Sequence, residues 1–330
     1  MEPLVCVILV NWKGWRDTLN CLESVFSNAY SKYQVIVCDN GSDDGSIEHI
    51  KAWAEGRLSA ESGSACPKPI PYALYDIKDL EKGSLSCADS VSLAVIKIGK
   101  NLGFGAGSNV GIRYAKMREE CDFIWCLNND TVISADALVE MMKKMQGDSR
   151  LGAVGSVLHY MDRPQEVQAW GGGWVSLFAG RCGHHIAPTA PNKVHYITAA
   201  SVLIRREALN QVGGFDERYF MYWEDTDLAF RLMQKGWKLG VAEKSKVFHK
   251  ESASLGKKSV ALEEYFNFSS VLFFKTHAKM PVLPISIATA GRILKRIILG
   301  DLARASAVWR GARKGVLHLA KPKTRSIEKR

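Results

Sequence analysis

Four short runs of apolar, β-branched or aromatic residues, each ending in a polar turn, constrain this chain most. They lie at residues 4–10, 34–38, 94–98 and 123–127. Between the first two, Leu19, Leu22, Val25 and Phe26 recur at helical spacing. After the fourth, Leu138, Met141, Met142 and Met145 do the same, with Ser134 placed to cap that helix. Strands this uniformly apolar have no face for water and must be covered on both sides. The alternation predicts an α/β architecture, a mostly parallel central sheet with helices on both faces.

The polar residues after each run are the second clue. Residues 4–10 lead into Asn11, and 34–38 into Asp39-Asn40-Gly41-Ser42-Asp43-Asp44. Residues 94–98 precede Asn101-Leu102-Gly103-Phe104-Gly105-Ala106-Gly107-Ser108-Asn109, and 123–127 run into Asn128-Asn129-Asp130-Thr131. Ligands of open α/β sheets sit beyond the carboxyl ends of the strands. One Asn after a strand is a turn residue; four such ends make a polar rim. The glycine run is a poor dinucleotide fingerprint, because Ser108 stands where the third glycine should be and the run comes after the third strand, not the first.

The remaining stretches are less regular. Residues 54–92, rich in Ser, Gly, Pro and charge, read as a surface insertion, and 171–183, where glycine recurs around Trp170 and Trp174, as an irregular loop. A strand-like run at 196–204 enters Arg205-Arg206 and a short helix. Glu224, Asp225 and Asp227 then open a helix that passes Leu232 and ends near Gly236. Acids in a first turn can simply complement the helix dipole. Behind the aromatic residues Tyr219 to Trp223 they could equally be a carboxylate with its pKa raised toward that of a useful base. His249 closes the short run Val247-Phe248; a lone histidine is more often structural than a ligand.

Charge divides the chain. Lys275 to Arg330 hold fourteen Lys and Arg against Asp301 and Glu328, a net +12, so the rest sums to about −2 of the overall +10. The start lacks the basic opening, long apolar stretch and cleavage site of a secretory signal. No apolar stretch approaches the roughly 18 residues that span a bilayer. The eight cysteines form no CxxC pair, and Cys6, Cys38 and Cys126 fall inside predicted strands, as free thiols would in a reducing compartment. A cytoplasmic location is expected, peripheral at the inner face of the cell membrane.

VILVNW (7–12), CDNGSDDGS (38–46), NLGFGAGSNVG (101–111), LNNDT (127–131) and GGFDERYFMYWEDTDLAFR (213–231) together resemble glycosyltransferase family 2, in its bacterial rhamnosyltransferase-like branch, over about residues 4–255. The resemblance implies a GT-A fold over 1–255 and a helical basic extension over 256–330. It implies Asp39 on the nucleotide base or ribose, with Asn11, Asn101, Gly103, Gly105, Asn109, Asn128 and Asn129 lining the same pocket. Asp130 matches the last position of the family's Asp-x-Asp motif and would bind Mg²⁺ or Mn²⁺, with His249 completing the metal or diphosphate site. Asn128 departs from the acidic residue that most relatives carry. Asp225, second of the Glu224-Asp225 pair, would be the catalytic base of an inverting displacement.

The expected partners are a nucleotide-sugar donor and a glycan or lipid-linked acceptor, with dTDP-rhamnose the donor implied by the branch. Transfer of another hexose or galactofuranose from UDP, or an inactive nucleotide- or carbohydrate-binding protein, stay open. Trp170, Trp174, Tyr222 and Trp223 are candidates for stacking on sugars. In the tail, Ile293, Leu294, Ile297, Ile298 and Leu302 interleave with Arg292, Lys295, Arg296 and Arg304, a pattern suited to a helix on an anionic membrane surface. Nothing in the body resembles a nucleic-acid module.

Overall fold

The computed structural model describes residues 2–62, 66–82, 91–250 and 259–318. They form two compact units. The first draws on Met1–Trp174, Gly183–Phe220 and Glu224–Ser254, the second on Val175–Cys182, Met221–Trp223 and Leu255–Arg330. In chain order the elements are β1 (Leu4–Asn11), α1 (Trp15–Phe26), β2 (Tyr33–Asp39), α2 (Ser46–Ala54), β3 (Tyr72–Asp76), α3 (Ile77–Glu81), β4 (Leu93–Lys97), α4 (Phe104–Met117), β5 (Cys121–Asn128), β6 (Thr131–Ile133), α5 (Ala137–Gln146) and β7 (Leu151–Tyr160). Then come β8 (Val167–Trp170), β9 (Gly172–Ser176), β10 (Arg181–His184), β11 (Tyr196–Ile197), β12 (Ser201–Arg205), α6 (Arg206–Val212), α7 (Glu224–Gln234), β13 (Lys238–His249), α8 (Val260–His277), α9 (Val282–Ile298) and α10 (Leu302–His318).

The main sheet runs β3-β4-β2-β1-β5-β12-β7-β13-β6, with β8 against β7. From β3 to β5 every pairing is parallel; β12 enters antiparallel between β5 and β7. Pleating splits β1 into two buried faces. Val5, Val7 and Leu9 join Leu19, Leu22 and Val25 of α1 and Leu138, Met141 and Met145 of α5 in one core. Cys6 and Ile8 are buried on the other face, the side against which α4 packs. A fully buried leucine such as Leu22 stabilises by about 1.5–3 kcal/mol. The α/β architecture with a mostly parallel central sheet expected from sequence is what the structure has.

Several local expectations need correction. Ser134 does not cap α5 with its side chain: the helix starts at Ala137, whose N–H bonds the Ser134 carbonyl. Residues 63–65 and 83–90 of the stretch 54–92 lie outside the described residues; the rest of it is not a mere surface insertion. Cys66 and Ile70 enter the core and Tyr72–Asp76 adds the edge strand. Glu23 ties this stretch down by accepting from Trp53 Nε1 (2.8 Å), Cys66 N (3.1 Å) and Lys68 Nζ (3.2 Å). Burial pushes that carboxyl up, but the donors outweigh it and hold it below its ordinary value. Residues 171–183, read as an irregular loop, supply β9 and β10 of a three-stranded sheet with β11. The run 196–204 is broken at 198–200, which separates β11 from β12.

Among the described residues the cysteines are free, and Cys38 and Cys126 are pushed up to about 12 by burial, so these thiols act as small apolar core residues. In the second unit, Gly311 lets α10 approach α8 closely: a Cβ there would stand 2.3 Å from the Glu264 carbonyl oxygen. Trp223 packs its ring on Phe266, Phe273 and Phe274 of α8.

Candidate active site

Strand register gathers the polar rim. Asn11 is paired with Asp39 across β1 and β2, and Val10 with Asn128 across β1 and β5, so three strands end level with one another. Asn11 is fully buried and donates from Nδ2 to Asp39 Oδ2 (2.8 Å) and Ser42 Oγ (3.1 Å). Its Oδ1 accepts from Thr18 Oγ1 (2.9 Å), and Thr18 accepts from Asn129 Nδ2 (2.9 Å). Asp39, 1% exposed, accepts from the Ser42 N–H with its other oxygen (3.1 Å). Asn11 and Asn129 therefore organise the strand ends, with Asn11's amide committed inside the protein. Thr18 was not anticipated from sequence, where it is one more polar residue in a helix.

The glycine-rich segment also differs in role from the expectation. Asn101 Oδ1 accepts from Gly103 N (2.9 Å) and Asn40 Nδ2 (3.0 Å), which folds the loop on itself. Gly103 has φ +84°, and a Cβ there would sit 2.1 Å from the Phe220 carbonyl oxygen. A Cβ on Gly105 would meet Phe215 and Glu224. These glycines admit the 215–224 segment at close range. Asn109, expected in the donor pocket, is turned to the same segment. It accepts from Phe215 N (2.8 Å) and donates to Phe215 O (2.8 Å) and Glu217 Oε1 (3.0 Å). It clamps backbone, with no amide group left over.

At the far end of β5, Asp130 and His249 come together, with Asp130 Oδ1 3.2 Å from His249 Nε2. Pairing of β6 with β13 sets His249 opposite Thr131 and so beside this turn. Gln168 of β8, which no sequence pattern picks out, accepts from His249 Nδ1 at 2.8 Å, and Asn128 Nδ2 donates to Nε2 at 3.2 Å. Gln168 takes the Nδ1 side of the ring, which leaves Nε2 as the ring nitrogen that faces Asn128 and the Asp130 carboxylate. Two electron-rich atoms facing each other at that distance suit a bridging cation. A hard carboxylate with an imidazole nitrogen fits Mn²⁺ better than Mg²⁺, which prefers an all-oxygen shell. The two side chains would supply part of the coordination; among the described residues no cluster of three or more His, Cys, Asp or Glu adds to them.

The acidic pair at the start of α7 divides its labour. Glu224 is 7% exposed, lies against Gly105, and its Oε2 has no hydrogen-bond partner among the described residues. Burial, and then the Asp225 charge, push its carboxyl from 4.5 to about 8. Asp225 is half-buried. Oδ2 accepts from Ala199 N (3.2 Å) and Oδ1 from Thr226 N (2.6 Å) and Thr226 Oγ1 (3.1 Å). Burial raises its carboxyl too, against these donors and a smaller opposing effect of His184, whose Nδ1 meets Tyr196 Oη at 3.1 Å. The result is an oriented, partly accessible carboxylate of raised basicity beside a buried carboxyl that carries its proton at neutral pH. The backbone donor at Ala199 comes from the break between β11 and β12, invisible to a motif search. Of the aromatic candidates, Trp223 is spent on core packing, whereas Trp170 and Trp174 are half-buried in the first unit.

The fold is of the GT-A class. Residues 5–62 match the model of glycosyl transferase family 2, and 123–261 match that of glycosyl transferase family group 2. The N-acetylglucosaminyl-diphospho-decaprenol L-rhamnosyltransferase of Mycobacterium tuberculosis is 29% identical over 231 residues, covering 61% of this chain and 73% of that protein. Rhamnosyltransferase WbbL of Escherichia coli is 26% identical over 151 residues, 42% of this chain and 56% of its own. In fold, the chain is similar to mannosyltransferase PcManGT from Pyrobaculum calidifontis, solved with GDP-Man and Mn²⁺ (TM-score 0.56, 17% identity, 97% of this chain and 79% of that one). It is also similar to GalNAc-T7, solved with UDP, GalNAc and Mn²⁺ (TM-score 0.60, 13% identity, 96% and 56%). This chain belongs to glycosyltransferase family 2 and is rhamnosyltransferase-like.

Proposed function

We propose that the chain is an inverting, divalent-metal-dependent transferase that moves L-rhamnose from dTDP-rhamnose to a lipid-linked or polysaccharide acceptor in cell-surface glycan synthesis. It would work at the cytoplasmic face of a membrane that its C-terminal extension reaches. The observation that carries the chemistry is Asp225, a carboxylate held by the Ala199 and Thr226 donors with burial raising its basicity. Such a group accepts the proton of an acceptor hydroxyl as that oxygen attacks the anomeric carbon from the side opposite the leaving diphosphate. One displacement inverts the configuration. Holding both substrates in line supplies much of the remaining rate.

Glu224 is assigned a supporting part: protonated and buried next to Asp225, it leaves that residue as the one charged carboxylate of the pair at neutral pH. Asp130 and His249 would hold the metal, with Asn128 at its edge and Gln168 fixing the ring. When bound, the ion neutralises charge that grows on the leaving diphosphate. Asp39 and Asn101 would frame the nucleotide through the loops they fold. The sugar comes from the likeness to the mycobacterial rhamnosyltransferase, the nucleotide from the resemblance to the rhamnosyltransferase-like branch.

The test is a donor panel with Mg²⁺ or Mn²⁺ and an N-acetylglucosaminyl-diphospho-lipid acceptor, with the product read by NMR. Turnover of dTDP-rhamnose to a product of inverted anomeric configuration supports the reading. Preference for another donor would refute the sugar assignment, and a retained configuration would refute the single displacement.

A further inference from the structure

The helix α9 shows solvent the side that a soluble helix would hide. Val282, Ile287, Leu294, Ile297 and Ile298 are exposed, Leu294 by 58% and Ile298 by 74%. At 100° per residue, Ile287, Leu294 and Ile298 fall within about 40° of one another with Ile297 next to Leu294, a stripe that borders the side of Pro284 and Ala288, the residues the unit buries. The cations lie elsewhere. Arg292 donates to Asn267 Oδ1 (2.9 Å) and Ser270 Oγ (3.2 Å), and its guanidinium lies over the Phe266 ring; Arg296 is paired with Glu263 at 2.6 Å. The interleaved pattern thus resolves with two arginines turned inward and the apolar residues outward.

We propose that this stripe lies in the headgroup–acyl boundary of an anionic bilayer, with α9 parallel to the surface and the apolar face as the anchor. The inference rests on the reading that the extension meets a membrane, and assigns the anchoring to the apolar residues of α9. Charge decides the occupant. With +12 from Lys275 to Arg330, two copies facing each other through this stripe would repel, whereas an anionic lipid surface attracts it. Lys279 and Lys295 are exposed, and α10 adds an exposed Trp309, a residue that favours the interface. No described helix is long and apolar enough to cross a membrane, so the geometry is that of a helix lying on it.

The experiment is flotation of the full-length protein with phosphatidylcholine vesicles, with and without phosphatidylglycerol, at low and high salt, beside sedimentation in solution. The wild type is expected to float with anionic vesicles and to keep part of its binding at high salt. Leu294→Glu with Ile298→Glu should lower the partition coefficient about tenfold or more, since burying one such side chain is worth roughly that factor. Lys279→Gln with Lys295→Gln should cost less and chiefly at low salt. If the apolar variant floats as well as wild type while the lysine variant does not, the stripe is not the anchor, although the membrane reading survives. If the wild type floats with no vesicle, both fall, and a wild-type dimer that the apolar variant loses would give the stripe to a second copy. Should the double variant melt early, Ile287→Asn carries the same comparison.

Discussion

Glu224 and Asp225 are neighbours in sequence yet sit in different surroundings, and the difference can be measured. Glu224 titrates near 8 in the folded chain and near 4.5 when unfolded, so the native state holds the proton more tightly. Its contribution to stability is complete below about pH 4.5 and is lost as pH rises through about 8. Glu224→Gln is therefore expected to flatten the decline of Tm between those limits and to stabilise the protein at pH 9. The gain should be about 1–3 kcal/mol, the range for a buried polar group left unsatisfied; a Gln variant that melts earlier at pH 9 would contradict it. Asp225, raised in the same direction, should give the rate an acidic limb above the ordinary carboxylate range, and the limb should disappear with the side chain. At the other pole, Gln168→Leu frees His249 to rotate and change tautomer. It should weaken Mn²⁺ binding in the presence of nucleoside diphosphate by about 10–100-fold, read by titration calorimetry, with Tm little changed.

At the level of elements, glycines set how closely the 215–224 segment can lie on the rim. Gly103→Ala combines a left-handed φ with a Cβ 2.1 Å from the Phe220 carbonyl oxygen, so backbone must move. The expected cost is about 3 kcal/mol or more, the sum of φ strain and overpacking, checked by denaturant unfolding. Gly99→Ala, at φ +85° with open space around it, should cost only the φ strain. The elements themselves were well foreshadowed: the run 34–38 is β2, 123–127 is the core of β5, and the spacing of Leu19, Leu22 and Val25 is α1. Uniform burial leaves such signals unmixed. The edge strand Tyr72–Asp76 was hidden because its partial exposure gives it a mixed composition, and β9 because its glycines serve close backbone approach: a Cβ on Gly172 would sit 1.7 Å from the Tyr196 carbonyl oxygen. In the candidate site, Asp130, His249 and Asp225 could be named from the family resemblance, at positions that match its motifs. Gln168, Thr18 and the Ala199 N–H do not, because their roles come from register and from a strand break, which no local pattern encodes.

For the molecule as a whole, charge and apolar surface are segregated along the chain: a near-neutral catalytic body and a strongly basic extension whose helix α9 shows its apolar stripe to solvent. That division suits an enzyme whose donor is soluble and whose acceptor is held at a surface. The central claim is narrower, that Asp225 is the base of a sugar transfer. It is tested most directly by comparing wild type with Asp225→Asn, measuring kcat for transfer and, separately, the Kd for dTDP with Mn²⁺. Asn keeps the shape and can still accept from the Ala199 N–H but cannot take a proton. The expected result is a loss of about 10²–10⁴ in kcat, the usual contribution of a positioned general base, with the Kd for dTDP unchanged. A variant that turns over within a few-fold of wild type would contradict the assignment of Asp225 and require another proton acceptor.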